Sequence, residues 1–272
     1  MARTGLKRIK MSGKDKVLVT GGAGVIGQAV YRHLHERFDL SSIDRVDAPN
    51  YAVSHVADIA NLDAILPAFA GVDAVVHLAA SVRVDTSWDD VLHNNLITTY
   101  NVYEAAKRSG AKAVVFASSN HTIGMFELDG APDIYNLGDT RVYDHNAEIR
   151  PDSLYGVSKV YGEALGRYYL ENFGVRSYNL RIGTVRGDDN PRDPSVPTGS
   201  FWLDLTPEQK YDRMRATWLS QRDCAELIGA CLDAKHVDWA VVYGISHNPR
   251  QFWDLSHAKE LLGWEPKDSA PK

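Results

Sequence analysis

The stretch VLVTGGAGVIGQAV (17–30) constrains the fold more than any other part of this chain. An apolar run, KVLVTG (16–21), reads as a buried strand, and a helical pattern, AVYRHLHERF (29–38), follows it. Between them Gly21, Gly24 and Gly27 are spaced as GxxGxxG, and Gly22, Gly24 and Gly27 also spell GxGxxG. A Cβ in this turn would block both the tight bend and the close approach of a pyrophosphate. The helix start beyond it offers free N–H groups and a partial positive charge. Gly21, Gly24, Val25, Ile26 and Gly27 are therefore the expected contacts of a dinucleotide. Asp44 ends the second predicted strand, LSSID (40–44), 23 residues after Gly21. Its carboxylate can accept hydrogen bonds from an adenosine ribose and would repel a 2′-phosphate, which favours NAD over NADP. Arg45 beside it could accommodate that phosphate, so NADP stays as the less favoured alternative.

The alternation continues along the chain. LDAILPAFAG (62–71) is a predicted helix carrying Pro67, and DAVVHLAA (73–80) a strand. VLHNNLITTYNVYEAAKRSG (91–110) is a long helix closed by glycine, and KAVVFASS (112–119) a strand. LYGVSKVYGEALGRYYLENFG (154–174) is again a long helix, and RSYNLRIG (176–183) a strand. Short strands alternating with helices imply right-handed βαβ crossovers. The expected fold class is α/β: a Rossmann-type doubly wound parallel sheet with a small C-terminal substrate-binding cap. Residues 1–15 read as a frayed basic leader with Met11 a candidate start, 16–183 as the NAD-binding domain, and 184–272 as a small substrate-binding region partly interleaved with it. The long loop VRGDDNPRDPSVPTGS (185–200) opens that last region.

Composition excludes other classes. A net charge of −5 gives no basic field for nucleic acid or an anionic membrane. No run of about 18 apolar residues is present to span a bilayer, and the leader lacks the apolar core of a secretory signal. Cys224 and Cys231 lie seven apart on a predicted helix, which suits two core thiols rather than a disulfide and places the chain in the reducing cytoplasm. No metal site is expected.

Tyr155 and Lys159 stand four apart in YGVSK, a spacing that puts both on one helix face. A tyrosine ionises near pH 10, so alone it is a poor base; an adjacent ammonium favours the phenolate. The strand before this helix ends in FASSNHTIG (116–124), where four polar side chains follow a buried run. Carboxyl ends of parallel strands are where such sheets bind ligands, so these groups face a site.

TGGAGVIG, DI (58–59), HLAA (77–80), NLITTYN (95–101), SSNHTIG, YGVSK and ELLGWEPKD occur in the order found in the extended short-chain dehydrogenases/reductases, which the chain resembles from about residue 16 onward. The resemblance implies that Asp58, with Ile59, caps the adenine and that the backbone of Leu78, Ala79 and Ala80 lies along the cofactor. His77 itself reads as a core histidine. It implies a catalytic Ser119 that steers the reacting oxygen toward Tyr155, a Lys159 that also holds the nicotinamide ribose, and an Asn95 that supports Lys159 through backbone and water contacts. It also implies a homodimer or larger homo-oligomer formed through the two long helices.

Within that family FASSNHTIG, LYGVSK, RIGT, DRMRATWLS and FWDLSHAKELLGWEPKD look like the uronate dehydrogenases, which oxidise C1 of a cyclic hexuronic acid to a lactone with NAD as oxidant. Carried over, Ser81, Ser119, Asn120, His121, Tyr155 and Thr184 would bind the sugar, and Arg213 would grip its carboxylate, with Arg215 a rival anchor. Thr184 stands where those enzymes usually have serine. Two departures touch the pocket rim: the 185–210 segment is longer, and the chain stops soon after WEPKD. A neutral-aldose 1-dehydrogenase and a nucleotide-sugar epimerase or dehydratase are the competing enzyme readings. A non-catalytic NAD sensor is the competing class, against which stand Ser119, Tyr155 and Lys159 together.

Overall fold

Strand β1 (Lys16–Thr20) runs into the glycine turn and out into helix α1 (Val25–Leu34) in the computed structural model, which describes residues 13–192 and 204–271. Most of the expected leader, the 193–203 part of the long loop and residue 272 lie outside the described residues. Helix α1 starts four residues earlier than the sequence pattern suggested. Gly24 is extended and serves as its N-cap, so the first helical turn sits directly on the glycine loop.

The chain continues through β2 (Asp39–Asp44), β3 (Val53–Val56), α2 (Leu62–Ile65), β4 (Ala74–His77), α3 (Trp88–Val91), α4 (Thr98–Ser109) and β5 (Ala113–Ser119). It then forms α5 (Gly124–Gly130), α6 (Leu154–Phe173), β6 (Arg176–Ile182), α7 (Pro207–Thr217), α8 (Gln221–Asp233), β7 (Trp239–Gly244) and α9 (Ser256–Leu262). Among the described residues seven strands pair in parallel, in the order β3-β2-β1-β4-β5-β6-β7. This is the Rossmann-type sheet. The order reverses between β1 and β4, and a crevice opens there at the carboxyl ends of the strands.

Three departures from the sequence pattern have local causes. Strand β3 was not anticipated, because VSHV is short and half polar; it is the sheet edge. The helix expected over 62–71 is one α-turn followed by a 3-10 turn, Leu66–Phe69, because Pro67 has no N–H to continue the α-helical bonding. The helix expected over 91–110 is α3 and α4 joined by a π-helical segment, Leu92–Ile97, which carries Asn95. Helix α6 matches its expected span. The Ser153 hydroxyl accepts from the Gly156 N–H at 3.0 Å to start it, and Gly174 in the left-handed region ends it.

Val17, Val115, Leu180 and Val242 on one face of the sheet pack with Val30 of α1 and Ile228 of α8. Val75 and Val114 on the other face pack with Val102 and Tyr169. The sequence boundary after residue 183 is crossed by this architecture: β7 extends the sheet next to β6, and α8 packs on α1. The later segment thus supplies apolar surface that the sheet would otherwise expose. Cys224 and Cys231 are free thiols buried in that layer. A separate apolar cluster, including Ile123, Tyr135, Tyr243 and Phe252, supports the loops around the crevice. Among the described residues no helix is long and apolar enough to cross a membrane.

Candidate active site

The glycine loop forms a cradle that side chains could not share. A Cβ on Gly27 would lie 2.4 Å from the Gly21 carbonyl oxygen, and one on Gly21, whose φ is +75°, would lie 2.9 Å from the Ala79 nitrogen. The loop therefore rests against the end of β4, and the first turn of α1 points its N–H groups into the space above. That space is a cavity of about 1270 Å³. Gly21, Gly24, Val25, Ile26 and Gly27 line it, as do Asp44, Asp58, Ile59, Leu78, Ala79 and Ala80. These groups suit a dinucleotide: a cradle for the pyrophosphate and carboxylates for the adenosine end. We expect Gly27→Ala to push the loop backbone apart and weaken NAD binding by at least about tenfold, read by fluorescence titration with NADH.

Asp44 accepts from the Ala23 N–H at 3.1 Å and from the Arg45 N–H at 2.6 Å, which fixes its carboxylate at the cavity edge. The Ala60 N–H, with help from His93, holds the Asp58 carboxyl below the usual carboxylate range. His77 does not face the cavity. It is buried between the hydroxyls of Thr20 at 2.8 Å and Thr99 at 3.2 Å, and burial pulls its pKa down to about 3, so it is a neutral core residue.

At the other end Ser119, Asn120, His121, Tyr155, Thr184 and Arg213 line the same cavity. Ser119 ends β5, and its hydroxyl accepts from the His121 N–H at 3.2 Å. Tyr155 lies in the first turn of α6. Burial pushes its phenol up to about 12, with the Ser119 hydroxyl pulling the other way. Burial likewise pulls Lys159 down to about 7. The expectation that the ammonium depresses the phenol is not met: burial moves the two groups in opposite directions. Both groups are out of water. The ammonium lies over the Phe116 ring, 5.0 Å from its centroid, and over the Tyr155 ring at 5.4 Å. Desolvation is the largest cause at both groups.

Ser81, Asn95 and Lys159 are not among the residues that line the cavity. Asn95 donates to the Ser81 carbonyl at 3.0 Å and the Ser158 hydroxyl at 2.9 Å, and accepts from the Ser81 N–H at 2.8 Å. It therefore ties the chain after β4 to α6 beside Tyr155 and makes no direct bond to Lys159. The Ser81 hydroxyl accepts from the Asn94 amide at 3.0 Å.

Two acids that the sequence reading passed over complete the site. Asp152 binds His121 Nδ1 at 2.6 Å and orients the ring, whose edge meets Tyr155 with centroids 5.7 Å apart. Gly124 leaves room for it, since a Cβ there would lie 2.0 Å from the Asp152 carboxylate. The available signal was the acid three residues before Tyr155. Glu127 is the second. Arg213 Nε donates to its Oε1 at 2.6 Å and Nη2 to its Oε2 at 3.3 Å, and the Tyr135 hydroxyl donates to Oε1 at 2.8 Å. Arg213 and Glu127 are both buried. The arginine expected to await a substrate carboxylate is thus on the cavity wall but already holds an internal one. Arg215 lies outside the wall, paired with Asp212 and stacked over Tyr211 at 4.8 Å. The Thr184 hydroxyl is engaged with that of Thr217 at 2.9 Å.

A dinucleotide cradle at the sheet's switch point, with a serine and a tyrosine at its far end, defines an NAD-dependent oxidoreductase acting on a CH–OH group. The family model described as the NAD dependent epimerase/dehydratase family matches residues 17–200, and the chain belongs to that family. It is 36% identical over 263 residues to the NAD-dependent glucose-6-phosphate dehydrogenase of Haloferax volcanii, covering 93% of this chain and 94% of that one. It is 36% identical over 259 residues to the uronate dehydrogenase of Agrobacterium fabrum, covering 94% and 85%. A mutant uronate dehydrogenase from Agrobacterium tumefaciens complexed with NAD superposes with a TM-score of 0.74 at 32% identity, covering 95% of this chain and 86% of that one. The protein is an NAD-dependent oxidoreductase of that family.

Proposed function

We propose that this enzyme oxidises the C1 hydroxyl of a cyclic aldose that carries an anionic group at its far carbon, a hexuronate in the first instance, to the lactone. The observation that carries this reading is that Arg213 lines the same cavity as Ser119 and Tyr155. Both enzymes named among its relatives act on sugars with such a group, a carboxylate in one and a phosphate in the other. Ser119 donates to the reacting oxygen and keeps it beside Tyr155. Tyr155, as phenolate, takes the C1 hydroxyl proton. Bound NAD supplies the hydride acceptor. Lys159, reached past the Tyr155 ring, would hold the nicotinamide ribose, and Asp44 and Asp58 would hold the adenosine end. Asn120 and His121 bind sugar hydroxyls, with Asp152 fixing the imidazole. The Nη1 edge of Arg213, which Glu127 leaves unused, takes the far anion and lets remote binding energy orient C1.

A neutral-aldose dehydrogenase is the second reading, favoured by two observations: Glu127 already balances the charge of Arg213, and the chain is 34% identical over 258 residues to the L-arabinose 1-dehydrogenase of Haloferax volcanii. The deciding assay follows NADH formation with glucuronate, galacturonate, glucose 6-phosphate, glucose and galactose. The proposal expects kcat/KM for at least one anionic sugar to exceed that for its neutral counterpart by roughly tenfold or more. Equal or better use of the neutral sugars overturns it. A homodimer through the long helices belongs to the same reading. Leu92, Ile97, Tyr100, Leu154, Val157 and Tyr168, on the helical segments from α3 to α4 and on α6, expose apolar surface that such pairing would cover.

A further inference from the structure

The charged lining of the cavity is divided in a way that Arg213 alone does not suggest. Four cations line the cavity: Arg45, Arg83, Lys210 and Arg213. Arg45 adjoins Asp44 at the adenosine end. Arg83 is paired with Asp85 at 2.6 Å, and Arg213 with Glu127. Lys210 makes no ion pair or side-chain hydrogen bond among the described residues. It stands three residues before Arg213 on α7, one turn away on the same face. An anion brought to Arg213 meets a guanidinium whose charge Glu127 cancels, so that corner alone would hold a net charge of about −1. The Lys210 ammonium restores the balance.

We propose that Lys210 supplies the net charge by which this cavity selects an anionic aldose, while Arg213, neutralised by Glu127, supplies direction. This rests on the proposed C1 oxidation of an aldose with a distal anion. The shared chemistry is an anionic group on the far carbon, whether carboxylate or phosphate. Asp204, exposed and lining the same cavity, opposes the ammonium through screening water.

The test measures kcat/KM with NAD for glucuronate, glucose 6-phosphate and glucose in the wild type, Lys210→Met and Asp204→Asn. The better anionic substrate of the wild type identifies the group. On that substrate, Lys210→Met is expected to lower the anionic-to-neutral ratio by roughly fivefold or more, and Asp204→Asn to raise it. Added salt is expected to erode the ratio in the wild type far more than in Lys210→Met. An unchanged ratio in Lys210→Met with undiminished salt dependence overturns the assignment, as does a fall in Asp204→Asn. A wild type that prefers neither anionic sugar to glucose instead sinks the underlying reading, which separates the two failures.

Discussion

Replacing Tyr155 with phenylalanine is expected to lower kcat roughly 10²–10⁴-fold while the affinity for NAD stays within about threefold of wild type. The ring keeps its packing in the first turn of α6 and against His121, so only the phenolic oxygen is lost. That oxygen lines the end of the cavity away from Asp44 and Asp58, which explains why cofactor binding should persist. The wild-type pH profile offers a second check. A base must be deprotonated to act, and burial holds this phenol up at about 12. The kcat/KM for the sugar should therefore climb with pH through the neutral and alkaline range. A Tyr155→Phe variant that keeps more than about a tenth of wild-type kcat would remove the phenol from the chemistry.

Lys159→Met should abolish turnover and yet make the protein more stable. Lys159 is buried with aromatic rings for neighbours, and burial pulls its pKa from 10.5 to about 7. In the unfolded chain the ammonium keeps its proton until about pH 10.5. Below about pH 7 both states carry the charge, and the folded state bears the whole desolvation penalty, on the order of a few kcal/mol. As pH rises from about 7 to about 10.5 the unfolded state binds more protons, so wild-type stability increases across that window. The gain from Lys159→Met should accordingly be largest near neutrality or below and fade toward pH ~10. Urea denaturation at two pH values reads it. A variant less stable than wild type at neutral pH would show that the ammonium is not a burden on the fold. The interpretation is that the lysine is held for its charge at the cofactor, at the expense of stability.

The NAD half of the site was legible because its chemistry lies close to one backbone feature. The turn at Gly21, Gly24 and Gly27 and the acid at Asp44 come from consecutive elements, so spacing alone places them. The same holds for Tyr155 and Lys159, fixed by one turn of α6, and for Ser119 at the end of a buried strand. The partners of these residues were not legible. Asp152 meets His121 from 31 residues away, and Glu127 meets Arg213 from 86 residues away. No local periodicity marks such pairs, and each acid alone resembles an ordinary loop or helix carboxylate.

By itself the sequence determined the parallel sheet, the glycine cradle and the shared helix face of Tyr155 and Lys159, because each follows from short-range geometry: strand and helix periods, glycine conformational freedom and a four-residue helical spacing; the choice of Ser119 came from the family resemblance. Only the tertiary structure decided that β7 and α8 complete the sheet's layers, that burial is the largest influence on Tyr155 and Lys159, and that Glu127 pairs with Arg213. Those outcomes depend on which distant groups share a volume without water, and the balance of desolvation and pairing is set only once that volume has closed.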